Sequence, residues 1–197
     1  MLAVATGSDH LARAMRALEA SFLIGVEGVT EIWLIRHGDA YDGITETVDP
    51  PLSGRGRDQA ERLAERVRNA KPAAVYSSPF RRAMETARYI TDDVRVDKRL
   101  VEIALEVGED GSLDFKETAD SAVARMRASV DDMVTEFSGR RVVAITHGAA
   151  IVACLADVMQ LEPGRLRFLP YFTSVNSVRV LGDRRIVGSL GDVAHLK

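Results

Sequence analysis

The chain is organised around residues 30–38, Thr-Glu-Ile-Trp-Leu-Ile-Arg-His-Gly. The five residues from Ile32 to Arg36 are mostly apolar, too few for a stable helix and rich in β-formers, which predicts a buried strand. In open α/β sheets, ligands bind beyond the carboxyl ends of the strands, so this strand delivers Arg36 and His37 to the usual place for chemistry. Gly38 lets the backbone turn away and leaves room for a ligand. On this tripeptide alone, a capped strand with a solvated Arg-His pair explains the pattern equally well.

The composition limits the class of protein. The 197 residues fit one domain, or one domain with an appendage, and their 46% hydrophobic and 28% charged content is ordinary for a globular protein. A net charge of −3 argues against nucleic acid as a partner, and no apolar run is long enough for a membrane span. The single cysteine, Cys154, lies in an apolar helical pattern and is interpreted as a core residue. Because the first residues do not resemble a signal peptide, we expect a cytoplasmic location.

Residues 1–29 are predicted to be an N-terminal helical extension, and residues 30–197 to form the domain. Ser8 is a candidate N-cap for a helix with one apolar face. That face consists of Leu11, Met15, Leu18 and Phe22. It needs a cover, either from its own domain or from another subunit, so a homo-oligomer through this helix is one of two open alternatives. Its polar face is only weakly basic, which argues against binding of this helix to a membrane surface.

Strands and helices alternate along the rest of the chain. The predicted later strands are 73–76, 94–96, 141–146, 174–181 and 185–190. The predicted helices are 53–69 with Ser53 as N-cap, 79–91 with Ser78 as N-cap, 118–137 and 149–160. Residues 103–117 are predicted to be an irregular acidic loop that either covers the crevice or is simply solvated. The alternation predicts an α/β three-layer sandwich with a mostly parallel central sheet flanked by helices.

A second strand end repeats the motif of the first. The predicted strand 141–146 runs into His147 and Gly148, so a parallel sheet would bring two His-Gly ends to one edge. Arg81 or Arg82, in the first turn of a predicted helix, adds a positive charge there. Because a cation at a helix N-terminus opposes the helix dipole, a bound anion explains it better than helix stability does. The pocket is therefore expected to hold phosphate.

Five short motifs follow one another along the chain. They are Arg36-His37-Gly38; Leu52-Ser53 with Gly56 and Gln59-Ala60; Ser77-Ser78-Pro79 with Arg82-Ala83 and Thr86-Ala87; Glu102 after Leu100; and Thr146-His147-Gly148. In this order they resemble the histidine phosphatase superfamily, also called phosphoglycerate-mutase-like. The resemblance extends from about residue 30 to the C-terminus and leaves out the N-terminal helix.

The resemblance implies a metal-independent phosphomonoesterase of the histidine acid-type class, with no cofactor. His37 would attack phosphorus and carry the phosphoryl group as a phosphohistidine. Glu102 would act as general acid and then as general base, with Glu106 as its rival. The groups implied to bind the phosphate are Arg36, Arg82, His147 and Gly148. His147 is implied to be catalytic as well, and the family spacing favours Arg82 over Arg81.

The chain departs from the family pattern where substrates differ. Gly43 stands where mutases and several phosphatases have asparagine, and residues 104–108 replace the usual Gly-Trp-Glu-Gly run. The segment between Glu102 and His147 is short for a mutase, which must enclose a bisphosphate. A phosphatase acting on a phosphorylated small molecule or a phosphopeptide is therefore expected. A phosphoglycerate-type mutase and a weakly active phosphoprotein-binding module are the alternatives. Three aromatic residues could line the approach, with core packing preferred: Phe168, Tyr171 and Phe172.

Overall fold

The computed structural model describes residues 7–41, 49–108, 110–162 and 165–197, so Gly43 lies outside the described residues. The helices are α1 (Gly7–Ser21), α2 (Gly54–Asn69), α3 (Arg81–Ile90), α4 (Ala119–Glu136) and α5 (Gly148–Val158). The strands are β1 (Thr30–Arg36), β2 (Ala74–Ser77), β3 (Val94–Val96), β4 (Leu105–Val107), β5 (Leu113–Phe115), β6 (Arg141–Thr146), β7 (Val175–Leu181) and β8 (Arg184–Asp192). Short 3₁₀ turns cover Lys98–Leu100 and Ala194–Leu196.

The central sheet has the strand order β3-β2-β6-β1-β7-β8. The strands β3, β2, β6 and β1 are parallel, whereas β7 is antiparallel to β1 and β8 is antiparallel to β7. Arg36 on β1 is in register with Thr146 on β6, so the residues that follow, His37 and His147, leave the sheet side by side. The mostly parallel sheet predicted from the sequence is thereby confirmed.

Helices cover both faces of this sheet. On one face, α4 and α5 pack Met126, Met133 and Ile151 against β1, β6 and β7. On the other face, α2 and α3 pack Leu63 and Ala87 against the same strands and β2. This gives the expected three-layer sandwich. Among the helices in the described ranges, none is long and apolar enough to cross a membrane.

The N-terminal helix α1 lies outside this sandwich and leaves its apolar side in solvent. Leu11, Met15, Leu18 and Phe22 are all exposed. Arg184 on β8 donates a hydrogen bond of 2.6 Å to the Ser21 carbonyl at the end of α1. Ser8 lies inside the helix instead of capping it. That another subunit covers this apolar face stays a prediction.

Two local predictions were wrong. Helix α3 begins at Arg81 with Phe80 at the N-cap position, so Ser78 and Pro79 precede it. Within the expected irregular loop, Leu105–Val107 and Leu113–Phe115 form an antiparallel pair of strands in which Leu105 pairs with Phe115. Each strand of this hairpin has only three residues, and acidic side chains interrupt its apolar pattern.

Candidate active site

The turn after β1 is held by close backbone packing against the start of α2. A Cβ on Gly38 would lie 2.7 Å from the Gly56 carbonyl oxygen, and a Cβ on Gly56 would overlap the Asp39 backbone. The Gly38 amide donates to Thr86 Oγ1 at 3.0 Å, and the Asp39 amide donates to Gln59 Oε1 at 2.9 Å. Both glycines are therefore needed for this approach, and polar residues of α2 and α3 fix the position of His37.

His37 is buried at the carboxyl end of β1, as predicted. Its Nδ1 lies 2.7 Å from the Gly38 carbonyl oxygen, which can only accept, so Nδ1 carries the hydrogen. Its Nε2 accepts a hydrogen bond of 3.1 Å from Arg82 Nε. Burial, reinforced by the charges of Arg82 and Arg36, lowers the pKa of His37 to about 3. At neutral pH the ring is thus uncharged, with the Nε2 lone pair facing Arg82.

His147 occupies the N-cap position of α5, with its ring centroid 5.0 Å from that of His37. Its Nδ1 lies 3.3 Å from Arg82 Nη2, which can only donate, so Nδ1 accepts. Its Nε2 then donates to Ser78 Oγ at 2.8 Å. Burial, with His37 and Arg82 acting in the same direction, keeps the pKa of His147 well below its ordinary value.

Arg82 is buried and joins the two histidines, as the family spacing predicts. Its Nη1 also lies 3.2 Å from Asp49 Oδ1. The neighbouring Arg81 points away and pairs with Glu85 at 2.7 Å. Of the two arginines at the start of α3, Arg82 is therefore the one that lies in the site.

Arg36 brings a second guanidinium to the site from the end of β1. It donates from Nη1 to the Pro170 carbonyl at 2.8 Å and lies 4.0 Å from the centre of the Phe172 ring. Burial lowers the pKa of Arg36. Its Nε is buried and has no hydrogen-bond partner among the described residues, and a Cβ on Gly148 would lie 3.6 Å from it. A buried N–H group without an acceptor lowers the stability of the folded protein. We therefore expect an anionic acceptor to bind Arg36 Nε beside Gly148.

The Glu102 carboxylate lies at the start of α5, directly after His147. Its Oε1 accepts from the Ile103 amide at 2.9 Å and the Ala150 amide at 3.1 Å, and its Oε2 lies 3.4 Å from the Ala149 amide. These contacts place it at the first turn of α5, whose N-cap position is His147.

Its rival Glu106 lies on β4, where its exposed side chain pairs with Lys116 at 3.0 Å. Glu106 therefore belongs to the hairpin, while Glu102 belongs to the edge of the sheet at which the histidines meet. Of the two carboxylates, Glu102 is therefore the one that lies at the N-terminus of the helix that follows His147.

Sequence reasoning did not assign two groups to the site. Phe172 is one of the aromatic residues for which core packing is preferred over lining the approach, but its ring centroid lies 5.9 Å from that of His37, and it stacks under Arg36. Asp49, in a loop rich in turn residues, accepts hydrogen bonds from the Arg81 amide and from Arg82. Nothing in the local pattern marks either residue, because each reaches the site from a distant part of the chain. Phe168 packs against the core, as expected, and Tyr171 is exposed.

Other chemical groups contribute little to this site. Cys154 is fully buried in α5, and burial raises the pKa of its thiol to about 12, in keeping with a core residue. The part of the chain that the structure describes has no group of three or more His, Cys, Asp or Glu side chains placed to hold a metal ion. The site thus contains a pair of histidines and a pair of arginines, with the Glu102 carboxylate at its side and Asp49 paired with Arg82.

Comparisons with known proteins identify the family and the fold. A model of the histidine phosphatase superfamily (branch 1) matches residues 32–114 and 108–193. Phosphoglycerate mutase-like protein 4 of Arabidopsis thaliana is 31% identical, with 85% of this chain and 87% of the relative covered. Metal-independent phosphoserine phosphatase, also of Arabidopsis thaliana, is 28% identical, with 85% and 84% covered. A crystal structure of phosphoserine phosphatase from Entamoeba histolytica in complex with 3-phosphoglyceric acid has a similar fold. Its TM-score is 0.74 at 23% identity, with 85% of this chain and 100% of that chain covered.

Proposed function

The chain belongs to the histidine phosphatase superfamily (branch 1), and we propose that it hydrolyses phosphate monoesters without a metal ion, through a phosphohistidine on His37. One observation supports this more than any other. The Nδ1 hydrogen of His37 is bound by the Gly38 carbonyl, which leaves Nε2 unprotonated and facing a guanidinium. A neutral imidazole held in this way is a competent nucleophile toward phosphorus.

The two arginines supply the positive charge that phosphoryl transfer requires. A phosphoryl oxygen entering the site would replace His37 Nε2 as the acceptor for Arg82, and it would give the unpaired Nε of Arg36 its partner. His147, whose Nδ1 accepts from Arg82, would donate to the phosphate once protonated. Such fixed cationic donors stabilise charge as the leaving oxygen departs.

The reaction then proceeds in two displacements. In the first, the bond between His37 Nε2 and phosphorus forms, the ester P–O bond breaks, and Glu102 gives its proton to the leaving oxygen. In the second, Glu102 accepts a proton from water, which attacks phosphorus and releases inorganic phosphate and His37.

Phosphorylated small molecules are the proposed substrates, with phosphopeptides as a further class to test. The names of the relatives make phosphoserine and phosphoglycerate the natural comparison substrates. A mutase would show isomer formation that depends on a bisphosphate primer, without net release of phosphate. A binding module would show saturable phosphopeptide binding without hydrolysis. A cytoplasmic location stays a prediction.

The test is hydrolysis of an aryl phosphate in excess EDTA by wild type, His37→Ala and the control His10→Ala, which alters an exposed histidine of α1. We expect wild type and the control to stay active and His37→Ala to lose activity by a factor on the order of 10⁴ or more. Loss of wild-type activity in EDTA would contradict the metal-independent mechanism. Full activity of His37→Ala would contradict the role of His37.

A further inference from the structure

An apolar groove of about 740 Å³ lies beside the phosphate site. Its walls are the start of α4, one face of α5, the end of β5 and the residues around Leu161 and Leu169. The volume falls within the range of pockets that hold small molecules. It is far larger than a phosphate group needs, so the groove is available to another part of a ligand.

The groove begins at the proposed general acid. The Ile103 and Ala149 amides, which bind the Glu102 carboxylate, belong to residues that line it. Leu169, on the opposite wall, would lie 3.4 Å from a Cβ on Gly148, next to Arg36. Because the leaving oxygen must point toward the general acid, the leaving alcohol of a bound ester extends into this groove.

Large apolar side chains from three separate parts of the chain are exposed in the groove. Phe115 on β5 is 54% exposed, Leu161 after α5 is 38% exposed, and Leu169 is 71% exposed. Between them, α5 contributes the small side chains of Ala149 and Ala153, which keep the groove open. Convergence of exposed apolar groups beside a polar site indicates a binding surface for an apolar ligand.

Three of the four charged residues that line the groove, Lys116, Glu117 and Asp157, are paired, and the fourth is Asp120. Lys116 lies 3.0 Å from Glu106 and 2.5 Å from Asp114. Glu117 pairs with Arg125 at 2.7 Å, and Asp157 pairs with Arg127. Among the described residues that line the groove, Lys116 is the only cation, and both of its partners are acidic.

A hydroxy-acid phosphate such as phosphoserine or phosphoglycerate carries a carboxylate that needs its own cationic partner. Among the described residues that line the groove, Lys116 is the one candidate, and Glu106 and Asp114 already pair with it. The lining of the groove therefore favours an uncharged leaving group over one that carries a carboxylate.

We propose that this groove binds the leaving group and that the preferred substrates are phosphate monoesters of apolar alcohols, alkyl or aryl. The inference rests on the proposed function, since it assigns the second half of the substrate for the same reaction. It also separates this chain from a phosphatase that selects phosphoserine.

The test is kcat/KM for n-alkyl phosphates from ethyl to octyl, with O-phosphoserine and 3-phosphoglycerate as charged comparisons. Full burial of one methylene corresponds to a gain of about fourfold. We therefore expect kcat/KM to rise by about two- to fourfold for each added methylene, and the two charged substrates to be poorer than butyl phosphate.

Two variants test whether the groove causes this trend. Ala153→Phe fills the middle of the groove from α5, and Leu161→Ser makes its rim polar. Each should lower kcat/KM for octyl phosphate by about tenfold or more relative to that for ethyl phosphate, so that the chain-length trend is lost. Leu190→Ser, at an exposed leucine on β8 outside the groove, is the matched control and should change neither value.

The outcomes separate the two levels of the proposal. Equal kcat/KM along the alkyl series, or a preference for phosphoserine over octyl phosphate, would overturn the groove assignment and leave the phosphatase intact. A chain-length trend that survives both groove variants would also overturn it. A wild-type protein that hydrolyses none of these esters contradicts the proposed function, and the groove assignment falls with it.

Discussion

Arg82 Nε lies 3.1 Å from His37 Nε2, so the proposed attacking nitrogen and its principal cation share a hydrogen bond before any phosphate is bound. The same guanidinium reaches His147 Nδ1 at 3.3 Å. In the proposed mechanism, a phosphoryl oxygen that accepts from Arg82 Nε displaces His37 from that donor. Phosphate binding would then free the lone pair of His37 Nε2 for attack on phosphorus. Because Arg82 contacts both histidines, it lies at the centre of the site.

Arg82→Ala should lower kcat/KM for an aryl phosphate by about 10²- to 10³-fold, the usual effect of removing one fixed donor to a developing oxyanion. Arg81→Ala is the matched control, because Arg81 is exposed and pairs with Glu85 outside the site. It should change kcat/KM by less than about threefold. Equal losses in the two variants, measured by steady-state kinetics, would contradict the assignment.

Glu102→Gln should slow hydrolysis of an alkyl phosphate by about 10²- to 10⁴-fold, because an alkoxide needs a proton as it leaves. For 2,4-dinitrophenyl phosphate, whose leaving group departs without a proton, the first step should be little affected, so the phosphoenzyme should form in a burst. Glu106→Gln is the control and should behave like wild type, since Glu106 pairs with Lys116 on the hairpin. A large defect in Glu106→Gln with a mild one in Glu102→Gln would reverse the assignment.

Stability should depend on pH through the buried histidines. The pKa of His37 is about 3 in the folded protein against an ordinary value of 6.5, so the unfolded chain takes up the proton first as the pH falls. The free energy of unfolding is then fully maintained above about pH 6.5. Below that it decreases by up to about 1.4 kcal/mol per pH unit until the folded pKa is reached.

His37→Gln should therefore flatten the slope of stability between pH 6.5 and pH 4, as measured by urea unfolding in buffers without phosphate. His10→Gln, on the exposed side of α1, should keep the wild-type slope. A slope for His37→Gln as steep as that of wild type would show that this histidine is protonated in the folded state over the same range.

The strands that carry the histidines could be predicted from the sequence because they are buried on both faces. Ile32 to Ile35 and Val142 to Ile145 are almost continuous apolar runs, and each ends abruptly at a polar group. The strand conformation of such apolar runs can be predicted without knowing which residues pack against them. The pairing of Arg36 with Thr146 then brings the two His-Gly ends together.

The parts that could not be predicted depend on distant contacts. Ser78 followed by proline has the local pattern of an N-cap, but its hydroxyl instead accepts from His147, which is far away in sequence. Phe172 reaches His37 only because the segment before β7 crosses the end of β1, where the Thr173 amide donates to the Arg36 carbonyl at 3.0 Å. Local propensity contains no information about either contact.

The exposed apolar face of α1 leads to a separate prediction about the assembly of subunits. Leu11, Met15 and Leu18 are exposed, and a second copy of the helix could cover them by antiparallel packing. Deleting residues 1–24, or the double change Leu11→Ser and Leu18→Ser, should then lower the number of subunits per particle, which light scattering gives as the solution mass divided by the mass of one chain. The same number of subunits in wild type and both variants would remove the proposed contact between subunits.

The most direct test of the central claim is to trap the covalent intermediate. Wild type is mixed with a fast aryl phosphate, quenched within milliseconds in base, and digested for peptide mass spectrometry. We predict one phosphoryl group on the peptide that contains His37, stable in base, labile in acid and absent from His37→Ala. Burst release of the aryl alcohol without a phosphorylated His37 peptide, or the same label in His37→Ala, would contradict the account.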